Sequence, residues 1–400
     1  MLTTRISALF LCGALTACCL TGCGAARSGD PGLSAESGTA QPAAVSSAGD
    51  GVYVPTDEGV YELQSISPGS ANLFYTDAAT KSRIFLCADP GCSHDSDRCA
   101  SYIATPGASF PPLLLRGGDG LLVFFAETGE DSGPRAMTMD FDGSNRRTAF
   151  TLSAGQQPAG SFFLAGDRLY FDLMETGENG QNRYQLWCAD LSAGKAEALL
   201  DLGVDGAYYA LCGSAGDKLC FQQVTEEGLR YCMYSLRDNK LEQPFYTDNS
   251  ASGNSLVGGG YLFTIDETAR TATRLDLATG EHLTCAFSLK EGYGAPSLRY
   301  LFDGKLLLTA ASTQSTGDSY DLCAYVLDFP AGSCTELTLR TPFNDRPVMV
   351  LSQVGELCLV ASDYRIDSGT GLPANVYAFL SRQDYLNSNP DGYLTVNDCV

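Results

Sequence analysis

The sequence predicts an all-β fold, a single β-propeller of about seven four-stranded blades, set behind an export signal and a flexible tether. Three observations carry the prediction. One short unit recurs seven times across residues 51–400, and each unit divides into several strands separated by tight turns. No segment shows the 3.6-residue apolar period of an amphipathic helix. The chain divides accordingly into a signal over 1–22, a tether over 23–50 and the propeller over 51–400.

The first element is the export signal. Arg5 is followed by an apolar run from Ile6 to Leu20, too short to span a bilayer permanently, and then by Leu20-Thr21-Gly22-Cys23. Those four residues resemble the lipobox of bacterial lipoproteins. The resemblance implies that the Cys23 thiol receives diacylglycerol and that cleavage removes residues 1–22. Leu15-Thr16-Ala17-Cys18 fits the same pattern, but only Cys23 gives the apolar core a normal length. An ordinary cleaved secretory signal is the plainer alternative. Two or three acyl chains, at roughly 0.8 kcal/mol per buried methylene, hold a protein stably where one chain does not. The expected location is therefore the outer face of a bacterial cytoplasmic membrane, with the lipid anchor as the membrane contact.

The second element, Gly24 to Asp50, is dominated by Gly, Ala, Ser and Pro with almost no large apolar residue, so its composition predicts a flexible tether. Loss of residues 1–22 removes one positive charge, Arg5, and takes the formal net charge from −22 to −23. Such a surface repels nucleic acid and anionic headgroups, which excludes nucleic acid as an expected partner. A strongly acidic exterior otherwise keeps an exported protein soluble.

The third element is the repeat. A small or acidic turn leads into an apolar strand at Asp57-Glu58-Gly59-Val60, Asp119-Gly120-Leu121, Gly166-Asp167-Arg168-Leu169, Gly216-Asp217-Lys218-Leu219, Gly259-Gly260-Tyr261, Asp303-Gly304-Lys305-Leu306 and Gly355-Glu356-Leu357. Blades are expected to begin near Val60, Leu121, Leu169, Leu219, Tyr261, Leu306 and Leu357. Gly, Asn and Asp supply the turn conformations, while Tyr, Phe, Val and Leu favour strands. Met139-Asp140-Phe141-Asp142-Gly143-Ser144-Asn145-Arg146-Arg147 resembles the hairpin that joins the outer strands of a blade in TolB-type propellers. The whole mature chain is similar to a group of uncharacterised β-propeller lipoproteins of gut Firmicutes. The lipobox, the segment Leu86-Cys87-Ala88-Asp89-Pro90-Gly91-Cys92-Ser93-His94 running on to Cys99, and the closing Ala378-Phe379-Leu380-Ser381-Arg382-Gln383-Asp384-Tyr385 carry that likeness. It implies fold and location and no activity.

Twelve cysteines follow Cys23. Most fall inside strand patterns; Cys220 and Cys358 are placed in the register of Tyr170 and Leu307, as small apolar residues packed between blades. Cys87, Cys92, His94 and Cys99 differ, lying together among Asp, Ser, Pro and Gly. Three thiolates and one imidazole make a tetrahedral ligand set for a structural zinc. The competing arrangement is a disulfide among the three cysteines, which the exported compartment narrowly favours, with His94 idle. A closed four-ligand set leaves no open position for substrate.

Catalytic chemistry is scarce. His94 and His282 are the only histidines, and His282 sits at a turn where a solvated side chain is expected. The sequence has no Gly-x-Ser-x-Gly elbow and no phosphate-binding Gly-x-x-x-x-Gly-Lys-Ser/Thr loop. No residue is assigned a catalytic role. Propellers present loops from every blade around one channel end, so the expected function is a membrane-anchored binding or scaffold propeller for an extracellular protein or small ligand. The alternative is a carboxylate-based enzyme acting on an extracellular polymer through the channel.

Overall fold

The computed structural model describes residues 44–67, 69–105, 110–126, 133–177, 179–250, 254–302, 304–314, 321–366 and 373–398. Cys18, Cys23 and the tether up to residue 43 lie outside them. Among the described residues no helix is long and apolar enough to cross a membrane.

Seven sheets form the ring, each antiparallel through strands a-b-c-d from the channel outward. In blade 3 the four strands are Gln156–Ala165, Arg168–Thr176, Asn182–Asp190 and Lys195–Val204. The count of seven agrees with the repeat. The blade boundaries need a correction: the b strands begin at Gly59, Leu121, Arg168, Lys218, Tyr261, Lys305 and Leu357. The repeated turn is thus the a–b hairpin, and an a strand precedes it in every blade. Inner strands such as Tyr209–Ala215 and Ser255–Gly258 are short and rich in Ser, Gly and Ala, so they carry little hydrophobic alternation.

Three of the c–d turns share one design. Asp77, Asp190 and Asp276 each accept two backbone N–H bonds through Oδ1, as Asp276 does from Ala278 and Thr279, both at 2.9 Å. The fifth residue of each turn, Lys81, Gly194 or Gly280, is left-handed. The second, Ala78, Leu191 or Leu277, donates its N–H to the a–b turn of its own blade at 2.9 Å. Both turn types therefore lie on one face of the ring. Part of the acidity of the chain serves as turn chemistry, and backbone N–H donation, from Thr80, Ala193 and Thr279 first, holds these carboxyls below the usual range.

Apolar packing runs along the seams between blades. Phe124 and Phe150 meet Phe162 and Phe171 between blades 2 and 3, while Phe263 packs with Leu306, Leu308 and Tyr325 between blades 5 and 6. Cys220 lies in the register of Tyr170 and Leu307 and packs with Tyr231, Val257 and Leu262. Cys358 does not. Strand b of blade 7 starts directly at Leu357, paired with Val354, so Leu359 takes the Leu307 position and Cys358 occupies that of Leu306. A one-residue offset turns a side chain to the opposite face, and Cys358 joins the seam where Leu307 and Val326 of blade 6 meet Val350 of its own blade.

The ring closes between blades 7 and 1. Tyr53 and Val60 pack with Leu359, Phe379 and Val396, and Asn397–Asp398 runs parallel to Ser82 and Arg83 on the outer strand of blade 1. At the channel, residues 44–50, which composition assigns to the tether, lie along the inner strands. Val45 N–H donates to Gly216 O at 2.7 Å in blade 4, Ser46 and Ser47 pair with Leu164 and Phe163 in blade 3, and Gly51 bridges Leu114 in blade 2.

Candidate metal centre

Strand c of blade 1, Ser70–Asp77, has an interrupted partner. Ser82–Phe85 pairs with its Phe74–Thr76 half, Tyr102–Ala104 pairs with Ser70–Asn72, and residues 86–101 leave the sheet between them. Both ends of this loop are pinned to one residue: Leu86 N–H donates to Leu73 O at 2.9 Å and Leu73 N–H donates to Ser101 O at 2.8 Å. The composition of the loop explains why it leaves. Asp89 Oδ1 accepts from Gly91 N–H at 2.9 Å and Cys92 N–H donates to Asp89 O at 3.2 Å, a turn built on Asp-Pro-Gly rather than a strand.

His94 is left-handed (φ 57°), a conformation that its surroundings must hold. The buried Asn72 donates Nδ2–H to His94 O at 2.9 Å, and the imidazole stacks on Phe85 with ring centres 4.0 Å apart. This places His94 Nδ1 3.2 Å from Cys99 Sγ. The donor atoms of Cys87, Cys92, His94 and Cys99 all lie within 4.8 Å of one another. Metal bonds of about 2.3 Å to sulfur and about 2.0–2.1 Å to nitrogen put tetrahedral edges near 3.5–3.8 Å, so these four side chains could hold one metal ion. Cys87, Cys92 and Cys99 are free thiols. No disulfide joins the three among the described residues, and His94, expected idle under a disulfide, faces Cys99 because its backbone and ring are both fixed.

The electrostatics suit thiolate ligands. Burial pushes the Cys99 thiol up, but the Ser101 hydroxyl at 3.1 Å, His94 and the Ser101 N–H at 3.4 Å together bring it down to about 6. Cys92 accepts the His94 N–H, which lowers it, yet desolvation and the neighbouring Cys99 and Cys87 leave it raised to about 11. One proton is thus easily lost from the cluster, and a cation would displace the others.

The second feature is a cavity of about 640 Å³ at the a–b end of the channel, bounded by residues 44–50 on one side and by turns such as Gly166-Asp167 and Gly258–Gly260 on the other. Among its described lining residues there is no histidine or cysteine. Asp119 and Asp167 stand exposed at its rim, whereas Asp50 accepts from Val52 and Tyr53 N–H at 2.9 and 2.7 Å. His282 is exposed at the start of the outer strand of blade 5. Sequence reasoning missed Asp172, completely buried in blade 3 with its carboxyl raised to about 7 by desolvation. Its only signal was a lone acid inside Leu169-Tyr170-Phe171-Asp172-Leu173.

No protein-family model and no curated protein matches this chain. Solved structures do. A puromycin-hydrolysing peptidase of Mycobacterium tuberculosis is similar at 14% identity and TM-score 0.49, over 86% of this chain and 53% of the other, so this chain spans about half its length. An oligogalacturonate lyase of Vibrio parahaemolyticus is similar at 11% identity and TM-score 0.44, over 84% and 90%. TolB of Acinetobacter baumannii is similar at 12% identity and TM-score 0.35, over 82% and 76%. The propeller assignment rests on the sheet topology itself.

Proposed function

We propose that this chain is an exported lipoprotein, held to the outer face of the bacterial cytoplasmic membrane by lipid on Cys23, whose propeller binds an extracellular protein or small ligand at the a–b end of its channel. In this reading the Cys87, Cys92, His94 and Cys99 centre holds zinc for structure. The observation that carries the binding role is the channel cavity, which is lined in part by a–b turns and beside which an extended segment, Ser46–Ser47, already pairs as an added strand. A carboxylate enzyme would need acids converging on one enclosed cleft; Asp119 and Asp167 are exposed at the rim and Asp50 is committed to the backbone.

The test is capture from spent medium or cell-wall extract with the soluble chain from Ala44 onward, since residues 44–50 belong to the channel wall. Asp119→Lys combined with Asp167→Lys reverses the rim charge without touching the core. Loss of the captured ligand in this variant, with unchanged circular dichroism, supports the reading. Equal capture by both proteins removes the cavity as the binding site.

A further inference from the structure

We propose that the metal centre is a clasp between blades 1 and 2, with Arg146 as the positioning residue that ties the exit of the metal loop to the neighbouring blade. The inference rests on the zinc reading above. It starts from what the loop lacks. Between its two attachments to Leu73, the segment 86–101 pairs with no strand, and Cys99 is its one buried apolar side chain before Ser101. So little core cannot offset the ordering entropy of such a segment, and metal ligation is the interaction large enough to do so.

The loop leaves the ligand cluster through Cys99, and the chain just beyond is where blade 2 takes hold. Arg146, in the c–d turn of blade 2, donates Nη1–H to Tyr102 O at 2.7 Å and Nη2–H to Ala100 O, while its Nε–H donates to Gly143 O at 3.0 Å. One guanidinium thus joins its own turn to the two residues flanking Ser101. The approach is close: Gly143 is left-handed (φ 80°), and a Cβ there would lie 2.7 Å from Ala100 O. Ser101 in turn carries two of the donors that face Cys99 sulfur, its N–H at 3.4 Å and its hydroxyl at 3.1 Å. Ligand, donor residue and interblade clamp therefore occupy consecutive positions in the chain.

Charge points the same way. A dication bound by three thiolates and a neutral imidazole leaves one net negative charge, and such a centre needs a nearby cation or N–H donors when part of it is buried. Arg146 cannot lose its charge in a protein and lies near enough to feel Cys99 and Asp97. The loop itself carries three acids, Asp89, Asp95 and Asp97, and one exposed cation, Arg98, whereas Arg146 is the cation that also donates to the backbone flanking Ser101.

The experiment uses the chain from Ala44 onward, purified in reducing buffer, with zinc as the probe. Zinc content, competition against a chelator and hydrogen exchange by mass spectrometry are measured for the parent, Arg146→Lys and Arg146→Ala. One zinc per chain is expected, and its removal speeds exchange both in residues 86–104 and in residues 140–147 while residues 261–276 of blade 5 stay unchanged. Arg146→Ala lowers zinc affinity by about tenfold, the usual scale for a residue that supports metal ligands, and uncouples 140–147 from zinc. Arg146→Lys keeps the charge and recovers part of the affinity but not the coupling, because it cannot reach both carbonyls in a fork. Zinc binding that protects 86–104 and leaves 140–147 unaffected in the parent overturns the clasp and leaves the zinc reading standing. A protein without zinc, whose Cys87, Cys92 and Cys99 peptides show a two-hydrogen mass deficit, overturns both.

Discussion

Arg83 lies where the ring closes, and its removal is the sharpest test of how that closure holds. The side chain is almost completely enclosed, 2% exposed, beside Glu62 at 3%. Nε and Nη2 donate to Glu62 Oε2 at 3.0 and 2.9 Å, Nη2 also reaches Gln64 Oε1 at 3.0 Å, and Nη1 reaches Asp398 Oδ1 at 3.1 Å. The guanidinium stacks between Phe74 and Tyr377, whose hydroxyl donates to Glu62 Oε1 at 2.7 Å. Desolvation pulls the guanidinium pKa down, yet Glu62 and then Tyr377 leave it raised.

Breaking such a pair strands a buried carboxylate, at a cost of about 3–5 kcal/mol. Arg83→Met removes the charge while keeping most of the packing. With about 2 cal/mol/K of unfolding entropy per residue, each kcal/mol moves the midpoint of a ring this size by roughly 1.4 °C, so Arg83→Met lowers it by about 4–7 °C. The assay is thermal unfolding by circular dichroism at pH 7. Adding Glu62→Gln removes the stranded charge and leaves an acceptor for Tyr377, so the double variant recovers at least half of the loss. A single-variant shift under about 2 °C, or a double variant no better than the single, refutes the assignment of Arg83 and Glu62 as the buried pair that closes the ring.

Cys23→Ala is expected to leave the protein in the medium or as uncleaved precursor, while the parent partitions into detergent; fatty-acid labelling of the variant would move the site to Cys18. Asp172, raised to about 7 by burial, binds a proton in the folded chain that the unfolded chain has released above pH 4 or so. Its contribution is therefore neutral at low pH and grows unfavourable as pH rises toward 7, reaching on the order of 4 kcal/mol. Asp172→Asn accordingly unfolds at a higher temperature than the parent at pH 8 and at the same temperature near pH 4, and a constant offset across that range rejects the account. The Asp119→Lys and Asp167→Lys rim variant, measured by capture, completes the set.

The strand starts were legible because glycine or an acid before an apolar run is a local signal that does not depend on neighbours. Several inner strands were not, since those such as Tyr209–Ala215 and Ser255–Gly258 are short and rich in small residues. Cys358 shows the limit of reading register by eye, where one residue of offset between Gly355-Glu356 and Asp303-Gly304 moved it to the other face. The candidate metal ligands were visible as residue types in an irregular stretch, but whether His94 joins the cysteines depends on Asn72 and Phe85, which lie in strands of blade 1 outside the loop. Arg146 and Arg83 left no sequence signal, because Arg146 reaches Tyr102 and Ala100, 44 and 46 positions away, and Arg83 reaches partners from 19 to 315 positions away.

Among the described residues, blade 1 carries both the buried Arg83 and Glu62 pair and the cysteine loop, and its place in the chain supplies a reason. Each of the other seams joins blades that follow one another along the chain, so the connection keeps the two faces near each other even when packing opens. The seam between blades 7 and 1 has only its own interactions, since the residues that meet there come from opposite ends of the described chain. Apolar contact alone would leave that seam free to slide. The buried Arg83 and Glu62 pair accepts one register, and Asp398 reaches it only when Asn397–Asp398 lies along Ser82–Arg83. The cysteine loop interrupts this same outer strand immediately after Phe85, so holding 86–101 in place also holds the end of the strand on which the C-terminal segment docks. Closure and clasp then act on two ends of one four-residue strand, and loss of metal should loosen Asn397–Asp398 before it disturbs any blade on the far side of the ring.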